Sequence, residues 1–294
     1  MIYLLSAVLC SACINLGFTL GKHKKLRNLY LTWFNYFTAT CVSLVMLLQK
    51  DLPAAGLSLS AMFRNITGTQ TADGSLTMAL LYGAVTGGIY IGALLAIQYS
   101  ILRNGPSPTT MFNRLGVILS VLLAMVLFGE QPTVLCWAGI ALAMAALVVY
   151  NWSGAVKFDW LLVCAFIMGD IAEFANKLFS AWCMPVFKPL FLLMVFGTAC
   201  LIATVLVKRK GYDSLPTWKE ALLGAGIGCA NLSASSLLLR ALDTLPSGVV
   251  FPFMCAGVVL VIAFAGSVFF KERIGRRGWI AVGMTMLALV LINL

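Results

Sequence analysis

The residues best able to do chemistry sit where this chain has least room for charge. The stretch FIMGDIAEFANKLFSAW, residues 166–182, places Asp170, Glu173 and Lys177 at spacings i, i+3 and i+7 inside an otherwise apolar run. In a helix that spacing puts all three on one face. A fourth charge, Arg114 in TTMFNRLG, lies inside another apolar run. An ionisable group at bilayer depth is costly, so such groups face a cavity or a partner. Two roles are open to these four. In the first, Asp170 or Glu173 carries a proton, and Arg114 and Lys177 serve as counter-charges or substrate anchors. Burial favours a neutral carboxyl and a nearby cation favours a carboxylate, so substrate and proton would compete for one site. In the second, the two acids and two bases neutralise one another as permanent ion pairs that fix helix packing.

Neutral polar side chains at depth form a second set. Asn15, Asn35, Tyr90, Gln98, Asn113 and Asn231 lie within apolar runs, as do Thr19, Ser233 and Ser235. Asn and Gln hydrogen-bond across membrane helices and rank above Ser and Thr, which often bond back to their own backbone. Tyr90 offers a ring for stacking.

Composition says what must position these groups. Of 294 residues, 61% are hydrophobic and 10% charged, with a mean hydropathy of +0.98. A soluble domain carries about 25% charged residues, so the chain reads as an all-α polytopic membrane protein. The net charge of +10 suits loops beside anionic headgroups. Its basic residues lie in short loops between apolar runs, which excludes a nucleic-acid partner. Cys10 and Cys13 form a CxxC with no second pair, and His23 is the only histidine. No metal site and no cofactor is expected, and the nine cysteines read as small packing residues. The first apolar run lacks a basic leader and a cleavage site, so it reads as a spanning helix.

A bilayer core of about 30 Å needs about 20 apolar residues in a helix. Ten segments qualify: 2–20, 29–49, 77–102, 107–129, 134–151, 159–182, 189–207, 217–239, 247–270 and 276–294. Connections are short except for residues 50–76. The sequence also repeats itself. Shifted by 142 residues, VLFGEQPTVLCWAGIALAMAALVVYN (126–151) falls on VFFKERIGRRGWIAVGMTMLALVLIN (268–293) with nine identities, Glu130 on Glu272 and Trp137 on Trp279 among them. Near the repeat starts, a shift of 155 brings Asn15 onto Asp170 and Lys22 onto Lys177. The halves are 1–152 and 153–294. With five helices each, the second must insert upside down. Loop charge agrees: GKHKKLRN in the first half is basic where its counterpart has only Lys188, and the loop before residue 134 has no base where its counterpart has four. Summed over loops, one side of the membrane holds 14 Lys or Arg and the other 4. The positive-inside rule then puts both termini outside the cytoplasm.

The ten-helix plan, the duplication and the sequence FGEQPTVLCWAGIALAMAALVV together resemble the drug/metabolite transporter superfamily, EamA type. The resemblance covers essentially the whole chain. It implies two inverted five-helix bundles around a central pocket, alternating access, and residence in a bacterial inner (plasma) membrane. The pocket would be lined by the first, third and fourth helices of each half. The second half departs from the pattern, with Lys271-Glu272 where the family has Gly-Glu. Familiar members also keep both termini in the cytoplasm, opposite to the loop charges here.

The expectation is a proton-coupled antiporter or exporter of a small polar metabolite, with membrane lipids around it. Trp137 and Trp279 would serve either a homodimer contact or the membrane interface. A membrane enzyme would need a convergent nucleophile, base or metal set, which one histidine in a basic loop does not supply. The rival is a lipid-carrier flippase or an accessory subunit of a membrane assembly. It would favour a lateral opening with basic residues at headgroup level over an enclosed charged pocket. The glycines of GAVTGGIYIGA and Gly224, Gly226 and Gly228 either let helices approach closely or let a helix flex as a gating hinge. Glu130 and Glu272 read as structural carboxylates at turns.

Overall fold

The computed structural model describes residues 1–104, 113, 116–129, 133–151, 160–212, 214–269 and six positions between 280 and 291. Among these, every regular element is helical. In chain order they are α1 (Ile2–His23), α2 (Asn28–Leu48), α3 (Leu59–Ile66), α4 (Ala72–Asn104), α5 (Val117–Phe128), α6 (Val134–Asn151) and α7 (Trp160–Trp182). A single 3-10 turn, Pro185–Phe187, leads into α8 (Lys188–Lys210), followed by α9 (Trp218–Leu242) and α10 (Ser247–Phe269). Nine of these helices fall on nine of the apolar segments, and the six described positions between 280 and 291 are helical within the tenth. Five helical stretches, including α1, α2 and α9, are long and apolar enough to cross a membrane. The protein is an integral membrane protein. Glu130, Lys271, Glu272 and Trp279 lie outside the described residues; Trp137 is exposed on α6.

Local signals set the helix ends. Pro189 opens α8 in its first turn, where the missing N–H has no partner to lose. Gly211 closes α8 and Gly129 closes α5, each in the left-handed conformation that other side chains avoid. α9 begins with a reciprocal cap: Thr217 accepts from the Glu220 N–H, and the Glu220 carboxylate accepts from the Thr217 N–H.

The 50–76 connection contains an element the hydropathy does not show. Ser58 caps α3 by accepting from the Ala61 N–H. Asn65, fully buried, accepts from the Thr71 N–H at 2.9 Å and its hydroxyl at 2.8 Å, and donates to Ser75 Oγ at 3.1 Å. One amide thus organises most of what reads as a loop.

Cα packing divides the chain into two compact units. The first comprises Met1–Ala12, Gly92–Phe174 and Thr244–Leu294; the second comprises Cys13–Ile91 and Ala175–Asp243. Each draws on both sequence halves. In the first unit α10 packs on α5 and α6. Cys136 Sγ donates to the Gly248 carbonyl at 3.4 Å, and Phe174 meets the rings of Phe128 and Phe251.

In the second unit α2 lies against both α8 and α9. Glycine makes the close approaches possible. A Cβ on Gly87 of α4 would fall 2.3 Å from the Val195 carbonyl oxygen of α8, and one on Gly83 would fall 2.9 Å from Met194 Cβ. On α9, a Cβ on Gly228 would fall 2.4 Å from the Asn35 carbonyl oxygen of α2, and one on Gly224 would fall 2.5 Å from Phe34 Cβ. Carbonyl oxygens belong to the helix frame and cannot swing away as a side chain can. Gly87→Ala and Gly228→Ala should therefore each destabilise the protein by about 2 kcal/mol through overpacking. Gly88→Ala, whose Cβ meets nothing within 4 Å, should not. Thermal unfolding in detergent micelles reads the difference.

Candidate functional site

Asp170 sits on α7 and is 6% exposed. Ser120 of α5 donates its hydroxyl to Asp170 Oδ1 at 2.8 Å. Asp170 Oδ2 is buried and has no hydrogen-bond partner among the described residues. Glycine again sets the geometry. A Cβ on Gly116 would fall 2.9 Å from Asp170 Cβ and 3.0 Å from the Phe166 carbonyl oxygen, so the chain entering α5 presses on α7 there. On the other side Asn113 crosses Gly169: its Oδ1 occupies space 2.1 Å from where a Gly169 Cβ would be. Asn113 Oδ1 is likewise buried with no partner among the described residues. Each is a buried acceptor beside α7, one carried by Asp170 and one lying against Gly169. Such an arrangement suits a donor: a proton on the carboxyl, a cation, or the N–H or O–H groups of a ligand.

Of the other sequence-predicted charges, Glu173 is partly buried one turn along α7 and Lys177, a turn further, is buried. Arg114 lies outside the described residues. The neutral candidates separate into different places. Tyr90, expected as a stacking ring, accepts a hydrogen bond from Asn176 Nδ2 at 2.8 Å and meets the Phe196 ring edge-on. Asn231 Nδ2 donates to Asn35 Oδ1 at 3.1 Å, linking α9 to α2. Asn15 is exposed on α1, where its carbonyl accepts from the Thr19 hydroxyl; Gln98 is partly buried on α4.

Three polar groups missed from sequence prove central to packing. Asn176, within the same apolar stretch as Asp170, donates to the Tyr90 hydroxyl. Lys188, read as a loop charge, is the first residue of α8 and only 9% exposed. Its ammonium donates to the Leu239 carbonyl at 3.0 Å and pairs with Asp243, which also accepts from the Ser180 hydroxyl at 2.5 Å. Glu220, at the other end of α9, holds Arg27 in a bidentate pair, with Nε on Oε1 at 2.8 Å and Nη2 on Oε2 at 2.7 Å. The Arg27 N–H also donates to Oε1, and its Nη1 donates to the Ser214 carbonyl. The side-chain hydrogen bond to the Glu220 carboxylate holds the Arg27 guanidinium above its already high ordinary pKa. The available signal was position: each carboxylate stands at one end of an apolar run, and each cation directly before another.

No family model matches the chain. A curated protein, the probable 4-amino-4-deoxy-L-arabinose-phosphoundecaprenol flippase subunit ArnE of Hamiltonella defensa subsp. Acyrthosiphon pisum (strain 5AT), is 29% identical over an alignment of 109 residues that covers 35% of this chain and 95% of that protein. A solved crystal structure, described simply as that of a protein, matches 100% of this chain and 97% of its own with a TM-score of 0.71 at 14% identity. The latter shows a shared fold.

Removing one member of a mostly buried pair strands the other. Asp243→Ala should cost about 2 kcal/mol, below the fully buried range because solvent reaches one side of the pair. In a double-mutant cycle, Glu220→Ala should lower the melting temperature more than Arg27→Ala, because it also removes the α9 cap, and the double variant should fall little below Glu220→Ala alone.

Proposed function

We propose that this protein is a secondary active transporter of a small polar metabolite, working by alternating access and coupled to protons. The observation that carries the proposal is Asp170: a carboxylate buried in a membrane protein, bonded on one oxygen, with the other buried and served by no described residue. A carboxyl that exchanges a proton for a cationic or hydrogen-bonding substrate would couple the two fluxes. Arg114, Glu173 and Lys177 would tune that exchange. Asn113 would contribute the second acceptor. Tyr90 and Asn231 would act through the hydrogen bonds that hold them, and Asn15 and Gln98 would line the route.

The proposal takes the chain as two inverted five-helix repeats, 1–152 and 153–294. The glycine contacts support this reading by their reciprocity. Gly83 and Gly87 bring the third spanning helix of the first half onto the second spanning helix of the other half. Gly224 and Gly228, 141 residues further on in each case, do the converse. In the repeat alignment Asp170 falls on Asn15, so one half offers charge where the other offers a dipole. In this reading the protein resides in a bacterial inner membrane with both termini outside the cytoplasm, as the loop charge favours. Transport, with no enzymatic step, accounts for these features.

A thermal-shift panel of amino acids, amines, nucleosides and sugars, run at a mildly acidic and a mildly alkaline pH, should yield a ligand whose stabilisation changes with pH. In proteoliposomes, flux of that ligand should fall by on the order of tenfold in Asp170→Asn. Unchanged flux in a variant carrying Asp170→Asn and Glu173→Gln together would sink the proposal. A second reading, a lipid-carrier flippase or an accessory subunit of one, is favoured by the relative described as a flippase subunit. Inter-leaflet movement of a fluorescent lipid phosphate by the same proteoliposomes, with the soluble panel ignored, would select it.

A further inference from the structure

A groove of about 410 Å³ runs between α1 and α9 in the second unit. We propose that it holds a membrane lipid with an anionic phosphate headgroup, the acyl chain along the apolar floor and the phosphate at Lys24 and Lys219. Leu20, Leu223 and Ile227 form its walls. Two glycines shape it in opposite ways. At Gly17 a Cβ would fall 2.6 Å from Ile227 Cγ1, so the helices nearly touch and close the floor; at Gly226 a Cβ meets nothing within 4 Å, so the missing side chain leaves the channel open. Trp218 and Leu222 on the rim are 69% and 68% exposed, as suits a lipid-facing edge.

The charge lies at one end only. α1 ends at His23 and α9 begins at Trp218, so Lys24 and Lys219 stand where both helices leave the apolar layer. That is headgroup level, where Trp concentrates and basic residues attract anionic lipid. Lys219 Nζ is 5.9 Å from the centre of the Trp218 ring, and Lys22 and Lys25 flank Lys24. The adjacent acid, Glu220, is engaged by Arg27 and does not offset the lysines. An apolar trough with cations confined to its membrane-surface end is complementary to a phospholipid: a protein helix would want apolar contact along its length, and a soluble anion has no use for the trough. Nothing in this site depends on Asp170, which lies in the other unit.

Native mass spectrometry of the intact protein, loaded with phosphatidylglycerol or with phosphatidylcholine of the same acyl chains, tests the assignment. The wild type should retain phosphatidylglycerol in clear preference. Lys24→Gln with Lys219→Gln should weaken that lipid by on the order of tenfold, from two lost headgroup contacts. Gly226→Leu should exclude both lipids while keeping the melting temperature, since its side chain enters open space. Equal retention of the two lipids by the wild type would overturn the proposal. So would variants that hold phosphatidylglycerol as the wild type does, or glycerol phosphate competing as well as the whole lipid, which would mark a plain anion site. The exposed lysine pair keeps the test decisive should the Gly226 variant misfold.

Discussion

Inside a bilayer a peptide group can find a hydrogen-bond partner only within the protein. This constraint forces the helical plan, and it extends to every polar side chain carried into the spans. The fully buried Asn35 meets Asn231, Asn176 meets Tyr90, and Lys188 meets a main-chain carbonyl as well as Asp243. Such pairs are specific because an unmatched member has no water to turn to. They fix which helices are neighbours more selectively than apolar packing, for which one leucine-rich face is much like another. The matching is not complete: buried side-chain atoms without a hydrogen-bond partner among the described residues occur at several positions, Asp170 Oδ2 and Asn113 Oδ1 among them.

Glycine and the polar pairs work together. Two helices can exchange side-chain hydrogen bonds only if their axes are close, and in the second unit closeness is set where a carbonyl lies against a missing side chain. Gly228 touches the Asn35 backbone of α2, and Asn231, less than one turn along α9, donates to the Asn35 side chain. The same logic governs Asp170, which Ser120 can reach because Gly116 brings the entry to α5 against α7.

Helix positions were legible in the sequence because spans must be long and apolar, a signal that survives whatever a helix packs against. α3 was not legible: it is short, and it depends on Asn65 bonding to Thr71 and Ser75, residues with no periodic pattern. Asp170, Glu173 and Lys177 were visible because charge is rare here. Ser120 was not, because serine in an apolar run is ordinary and only the fold brings it to Asp170 across 50 residues. Lys188 misled for a related reason. A lysine between two apolar runs normally faces water, and Pro185 and Pro189 gave no hint that the turn would fold it inward.

The ion pairs at the two ends of α9 have a mechanical consequence. Arg27 begins the approach to α2, Lys188 begins α8, and both are tied to α9, one at its N-terminal carboxylate and one at its C-terminal carboxylate. A rod anchored at both ends to two different neighbours cannot slide along its axis without breaking a tie. It can still roll, or swing together with those neighbours. While both pairs hold, helices α2, α8 and α9 are tied into a single truss, and a motion that keeps the pairs intact carries the three together.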